Sequence, residues 1–255
     1  MNHFKLKWII NPLLFTIILI YSPSIQAQVA REIIRKADEK MRGKSSHVLI
    51  TIETFRSDWK RTMEIEAWMK GTEMSLIRIL SPAKEKGIIF LKKKKEVWSW
   101  YPTLERSIKL PPSMMSQSWM GTDFTNDDLV KESSVLNDYR HHIVGDTLIA
   151  ERDCHIIEMI PLPETAVVWG KVIVYIDKKD FLELRSLFYD EECQLMSTMN
   201  GFDIRRMGDR IIPTGFEMIP ADKKNQKTVM RYKKIEFDTP ISESFFSIET
   251  MRNMP

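Results

Sequence analysis

Met63-Glu64-Ile65-Glu66-Ala67-Trp68-Met69 alternates apolar and polar residues one by one, except that Trp68 joins the acids on the second face. Period two is the signature of a strand buried on one face, and Val48, Ile50 and Ile52 keep the same spacing upstream. Met74 to Leu80 and Gly87 to Leu91 continue the series. Lys92-Lys93-Lys94-Lys95, ahead of Val97-Trp98-Ser99-Trp100, reads as the solvated end of a hairpin, with contact to anionic lipid or nucleic acid as the alternative. Strands return from Tyr139 and run through Cys154–Ile160, Val167–Ile176, Leu182–Tyr189, Leu195–Ile204, Ile211–Ile219 and Lys227–Phe237. Asp177-Lys178-Lys179-Asp180 and Arg206-Met207-Gly208-Asp209 stand where hairpin turns belong.

Two stretches break this period. In residues 28–42, Val29, Ile33, Ile34, Ala37 and Met41 share one helical face among charged neighbours, and Gly43 follows as a stop. Residues 111–138 open with Pro111-Pro112 and follow no single period; Thr125, with Asp128 three residues on, suits a helix start. The fold class expected is α+β, mainly β: one strongly curved antiparallel sheet with helices on one face, in a single domain over 28–255.

Residues 1–27 place Lys5 and Lys7 before an apolar run that ends at Ser24-Ile25-Gln26-Ala27, the order of a secretory signal peptide. Cleavage is expected after Ala27, and an uncleaved anchor is the other reading. Asn11-Pro12 interrupt the apolar run, which is short for a bilayer core of about 30 Å. Only Lys5 and Lys7 of the 38 Lys and Arg, and none of the 35 acids, lie in this segment, so the mature charge is about +1. Such balance argues against nucleic acid as a partner.

Catalytic and metal signatures are thin. The chain contains no G-x-S-x-G, G-x-G-x-x-G, P-loop or H-E-x-x-H motif. His141 and His142 point to opposite faces of a strand, so at most one can join His155 at a metal. Asp123, Asp127 and Asp128 read as helix-start acids rather than a calcium cluster. Cys154 and Cys193 are either one disulfide or two small unpaired residues. No enzyme activity, metal or cofactor is expected. What exceeds background is soft apolar matter: 16 Met, with Met114, Met115, Trp119, Met120 and Phe124 crowded into one irregular segment. Such residues suit a hollow for variable hydrocarbon, or else a plug on the open side of the sheet.

Several stretches resemble the LolA-like outer-membrane lipoprotein-sorting family, in particular its longer branch. They are Val97-Trp98-Ser99-Trp100-Tyr101-Pro102-Thr103-Leu104-Glu105-Arg106, Met120-Gly121-Thr122-Asp123-Phe124-Thr125-Asn126-Asp127-Asp128-Leu129, Ile176-Asp177 with Leu182-Glu183-Leu184, and Ile211-Ile212-Pro213-Thr214. Asn126 and Trp100 depart from it, each standing where the branch often has Tyr. The resemblance implies an incomplete β-barrel whose concave side is closed by helices and whose apolar hollow holds acyl chains of a lipoprotein or lipid in the periplasm. It also implies a monomer that meets an inner-membrane transporter and an outer-membrane acceptor. A non-catalytic accessory subunit of an inner-membrane transporter is the competing reading, and a lipid hydrolase a third. Trp98 and Trp100 share a strand face by the two-residue period, and that face is expected to line the hollow together with Ile65, Phe90, Met114, Met115, Trp119, Met120, Phe124 and Leu129. Residues 113–129 are expected to lack ladder hydrogen bonds and to open as a lid.

Overall fold

The computed structural model describes residues 23–130, 134–163, 165 and 167–254. The signal-peptide reading falls mostly on residues 1–22, outside the described residues.

Thirteen strands form one antiparallel sheet. Its first half is a meander of β1 (Ser45–Phe55), β2 (Lys60–Lys70), β3 (Met74–Ser81), β4 (Ile89–Lys93), β5 (Glu96–Tyr101) and β6 (Arg106–Leu110). The second half is a meander of β7 (Tyr139–Ile149), β8 (Arg152–Pro161), β9 (Lys171–Asp177), β10 (Glu183–Tyr189), β11 (Leu195–Met207), β12 (Arg210–Pro220) and β13 (Lys227–Phe237). Pairing of β1 with β13 joins the two halves. Consecutive strands β6 and β7 therefore become the two opposite edges. The described chain between them, residues 111–130 and 134–138, has to cross the open side of the sheet, which is why it cannot itself follow a strand period.

The alternation that predicts the strands also sets their register. Val48, Ile50 and Ile52 face Ala67, Ile65 and Met63 directly across β1 and β2, so the two apolar rows merge on one face. The turns expected at 177–180 and 206–209 overlap the connections 178–182, between β9 and β10, and 208–209, between β11 and β12. Strand β6 and the C-terminal helix were not anticipated.

Helix α1 (Pro23–Arg42) begins five residues earlier than expected and stops where expected. Gly43 takes a positive φ of 69° and donates its N–H to Glu39 O at 2.8 Å, the left-handed end that glycine adopts without steric cost. The buried face is Ala30, Ile33, Ile34 and Ala37, whereas Val29 is 47% exposed, so the apolar stripe is offset by one residue at its start.

Both faces of the sheet are apolar. The face under α1 carries Ile52, Met63, Ile65 and Ile79 from the first half and Ile157, Val174 and Ile176 from the second. The other face carries Leu76, Ile89 and Leu91, on which Phe246 and Met251 are fully buried. Met251 belongs to α3 (Ile248–Asn253), whose N-cap Ser247 accepts the Thr250 N–H. Residues 240–254 thus form a strap on the convex face, while α1 and α2 (Asn126–Val130) lie on the concave side.

Candidate functional site

The sheet curves round a hollow of ≈ 270 Å³ lined from α1, α2 and strands of both halves. Alternate residues supply its wall: Val48 and Ile50 of β1, Ile65, Ala67 and Met69 of β2, Val172, Val174 and Ile176 of β9, and Phe216 and Met218 of β12. Met41, Met74, Met159, Met199 and Met230 also reach it. Unbranched thioether chains reshape at low cost, which gives a wall able to fit hydrocarbon of varied outline.

Polar groups also line it, Glu183 and Ser186 of β10 among them. Asp38 and Arg42, on the last turn of α1, form a close ion pair with side chains only 11% and 13% exposed. Lys92 is buried and donates to Thr72 O at 2.8 Å. The lysine run therefore makes its turn at Lys94-Lys95 as expected, but Lys92 is a strand residue whose parity turns it inward, not a solvated one. On the α2 side, Thr125 and Asp128 form a reciprocal cap: Asp128 Oδ2 accepts the Thr125 N–H at 2.8 Å and Thr125 Oγ1 accepts the Asp128 N–H at 3.1 Å. Burial pushes the Asp128 carboxyl up to about 6 despite these bonds. Burial likewise raises the Tyr232 phenol to about 12.

The sequence-predicted residues divide. Ile65, Phe124 and Leu129 line the hollow. Phe90, Met115 and Trp119 are buried in the adjoining concave cluster, with Phe90 and Trp119 ring centroids 5.5 Å apart and Met120 packed against it. Met114 is half-buried and contributes its carbonyl to Asn126 Nδ2 at 2.8 Å. Trp98 and Trp100 are on the wrong face: they pack with Leu76, Leu91 and Phe246 on the convex side. The period was right and its phase was not. Val97 and Ser99 are the buried concave residues of β5, and the tryptophans instead seat the strap.

The segment over the hollow is also better held than expected. Trp119 N–H donates to Phe124 O at 2.8 Å, Asn126 N–H to Gln117 O at 2.8 Å and Asp127 N–H to Met115 O at 3.1 Å. Arg56 pairs with Asp123 at 2.9 Å, and Asp123 also accepts from Thr228 Oγ1 at 2.7 Å. Arg61 bonds Met120 O. An irregular path thus carries a dense set of cross-links.

Among the described residues no cluster of three or more metal-ligating side chains occurs. His141 is buried, and its Nε2 lies 2.6 Å from Val135 O, while His155 sits beside Asp146 at 2.9 Å. Cys154 is buried, Cys193 is exposed, and both are free thiols, so no disulfide joins them. The residues that the sequence reading missed are the methionines of β11–β13. Their alternation with other apolar residues, as at Phe216 and Met218 or Met230 and Tyr232, was the available signal.

A family model described as "Uncharacterized protein" matches residues 71–253. No curated protein matches the chain. Among solved structures, a DUF1329 family protein from Desulfovibrio piger superposes with a TM-score of 0.80 at 17% identity, covering 89% of this chain and 99% of that one. A LolA superfamily protein from Nitrosomonas europaea gives 0.76 at 22% identity over 87% and 98% of the two chains. A Vibrio parahaemolyticus domain described as an outer membrane lipoprotein-sorting protein gives 0.77 at 19% identity over 89% and 99%. The chain belongs to the family whose model spans residues 71–253, and its fold is the LolA-like incomplete barrel.

Proposed function

We propose that the chain is a non-catalytic periplasmic carrier that shields acyl chains of a lipoprotein or lipid in the hollow during transfer toward the outer membrane. The observation that carries this reading is the methionine-rich concave wall around a hollow of ≈ 270 Å³, lined mainly by apolar side chains. The likeness of the fold to a lipoprotein-sorting domain supports it.

The energetics suit a carrier. Burying a methylene stabilises a complex by roughly 0.8 kcal/mol, so a sixteen-carbon chain brings on the order of 12 kcal/mol gross before ordering costs. Small-molecule sites usually enclose roughly 300–1,000 Å³. The hollow lies just below that range, so a long chain enters only as methionines and the 111–130 segment shift. That displacement offsets part of the gain and keeps release possible. Export behind a signal peptide cleaved after Ala27 belongs to the same proposal, as do an inner-membrane transporter and an outer-membrane acceptor as donor and receiver. N-terminal sequencing of exported protein should return Gln28; recovery of Met1 would remove the export step.

Native mass spectrometry of the protein purified from its own periplasm tests the function, and bound lipid is the expected result. Ala67, which lies between Val48 and Ile77 on the wall, provides the control. Ala67→Phe fills the hollow and should weaken a fluorescent fatty-acid probe by about tenfold, or 1.4 kcal/mol. Absence of bound lipid together with equal probe binding by the folded variant would sink the carrier reading.

A further inference from the structure

The hairpin ends at 56–61, 82–88, 102–106 and 221–227 lie side by side along one end of the sheet, because β5–β6, β3–β4, β1–β2 and β13–β12 are successive in the strand order. Together they hold nine Lys and Arg against four Asp and Glu, a surplus of five in a chain whose whole surplus is three. The remainder of the molecule is therefore net acidic. The β10–β11 turn at the same end instead carries Asp190, Glu191 and Glu192, so at this end of the sheet the basic residues are concentrated on the hairpins from β6 to β12.

Two large apolar side chains stand out on these ends: Trp59 is 46% exposed and Leu104 is 60% exposed. Lys84, Lys86, Lys223 and Lys224 are exposed, and among the described residues no ion pair holds them. Phe55 lies under Lys60 and Lys227, with ammonium-to-ring distances of 4.8 and 5.9 Å, beside a shallow cleft that Lys223 and Lys224 also line.

We infer that this rim docks on an anionic lipid surface, with Trp59 and Leu104 entering the interface and the lysines facing the headgroups. Tryptophan favours the boundary between headgroup and hydrocarbon because its ring is apolar and its N–H polar. Each lysine near an anionic surface strengthens partitioning by about fivefold. An acidic protein is the other occupant such charge could attract. The apolar side chains, however, sit as isolated points on separate hairpin ends, not as the contiguous core that a protein interface buries. Docking by surface charge is weak and salt-sensitive, and so reversible. The inference stands apart from the hollow, since it needs no cargo.

Vesicle flotation of the processed protein provides the test, with phosphatidylcholine alone set against phosphatidylcholine with equimolar phosphatidylglycerol. Flotation with the anionic vesicles only, and release by high salt, is the expected result. Lys223→Glu with Lys224→Glu should weaken it at least tenfold. The same change of charge at the opposite end, Lys93→Glu with Lys95→Glu, should weaken it far less, and Trp59→Ser with Leu104→Ser should weaken it while the melting temperature stays close to the parent. No flotation with anionic vesicles would overturn the inference in favour of an acidic protein partner, and equal loss in the two lysine variants or indifference to Trp59 and Leu104 would overturn it as well.

Discussion

Residues 111–130 and residues 240–254 both lie across the sheet, one on the concave side and one on the convex, and they are held there by different forces. The concave cover buries Met115, Trp119 and Phe124 but adds directed polar bonds to its seat: Arg56 to Asp123, Arg61 to Met120 O, and Thr228 Oγ1 to Asp123. The convex strap is held chiefly by apolar burial, with Phe246 and Met251 at 0% exposure on Leu76, Ile89 and Leu91 and Phe245 edge-on to Trp68 at 5.3 Å. Apolar contact is nondirectional and lost gradually, whereas a charge-assisted bond is present or absent. The strap lies away from the hollow, and the polar-latched cover borders it. A face that must admit cargo needs a cover whose contacts can be released as a set.

The difference makes the strap the larger contributor to stability and the smaller to binding. Phe246→Ala deletes a fully buried ring, and such changes cost about 3–5 kcal/mol. Chemical denaturation should show that loss while fatty-acid probe affinity stays unchanged well below the melting point. Loss of binding in proportion to stability would mean that the convex face serves the site after all.

Next in size is the latch itself. Arg56→Leu leaves the Asp123 carboxylate, only 4% exposed, without its cation. Breaking a buried pair costs about 3 kcal/mol or slightly more, and here the loss is local because the pair joins the cover to the turn between β1 and β2. Hydrogen exchange should quicken across 115–127 while amides of β9 and β12 keep their protection. Uniform quickening over the sheet would show that cover and sheet open only together.

A third effect comes from Asp128. Its folded-state value, about 6, lies above the ordinary 3.8, so the native protein takes up this proton before the unfolded chain does. By linkage, its contribution favours the fold increasingly as pH falls from 7 toward 4 and is constant below that. The span is on the order of 3 kcal/mol. Asp128→Asn keeps an acceptor for Thr125 and removes the titration, so the stability of parent minus variant should rise on acidification over that window. A flat difference would mean that the carboxylate is fully solvated and that the cover does not seal the hollow there.

How much of this was legible in the sequence follows from the same physics. Alternation in Met63–Met69 and its counterparts gives strands and partners, because a two-residue period leaves no other way to bury one face. It does not say which of two apolar faces is concave. Within Val97–Trp100 both parities are apolar or small, so the two-residue period puts Trp98 and Trp100 on one face without saying which, and the strap that claims them lies some 145 residues downstream in Phe246. The latch was hidden for a related reason: Arg56 and Asp123 are ordinary charged residues until the β6-to-β7 crossing brings them together. The Thr125–Asp128 cap was visible because both partners are local.

The smallest predicted effect separates the covers most directly, since it makes a comparable chemical change on the other side. Arg252 of the strap donates to Ser107 Oγ at 3.1 Å and lies 6.0 Å from the Trp100 ring, in an exposed setting. A bond to a hydroxyl in contact with water and a distant cation–π contact together contribute less than about 1 kcal/mol. Nothing buried depends on Arg252 as Asp123 depends on Arg56. Arg252→Ala should therefore lower stability by under about 1 kcal/mol, leave hydrogen exchange in 240–254 close to the parent, and leave probe binding untouched. Removing Arg56 and removing Arg252 are thus expected to differ severalfold in energy, and in kind, with local opening in one case and none in the other. If the strap instead frayed in Arg252→Ala as far as the concave cover does in Arg56→Leu, both covers would be polar-latched, and the division of labour between the two faces would fail.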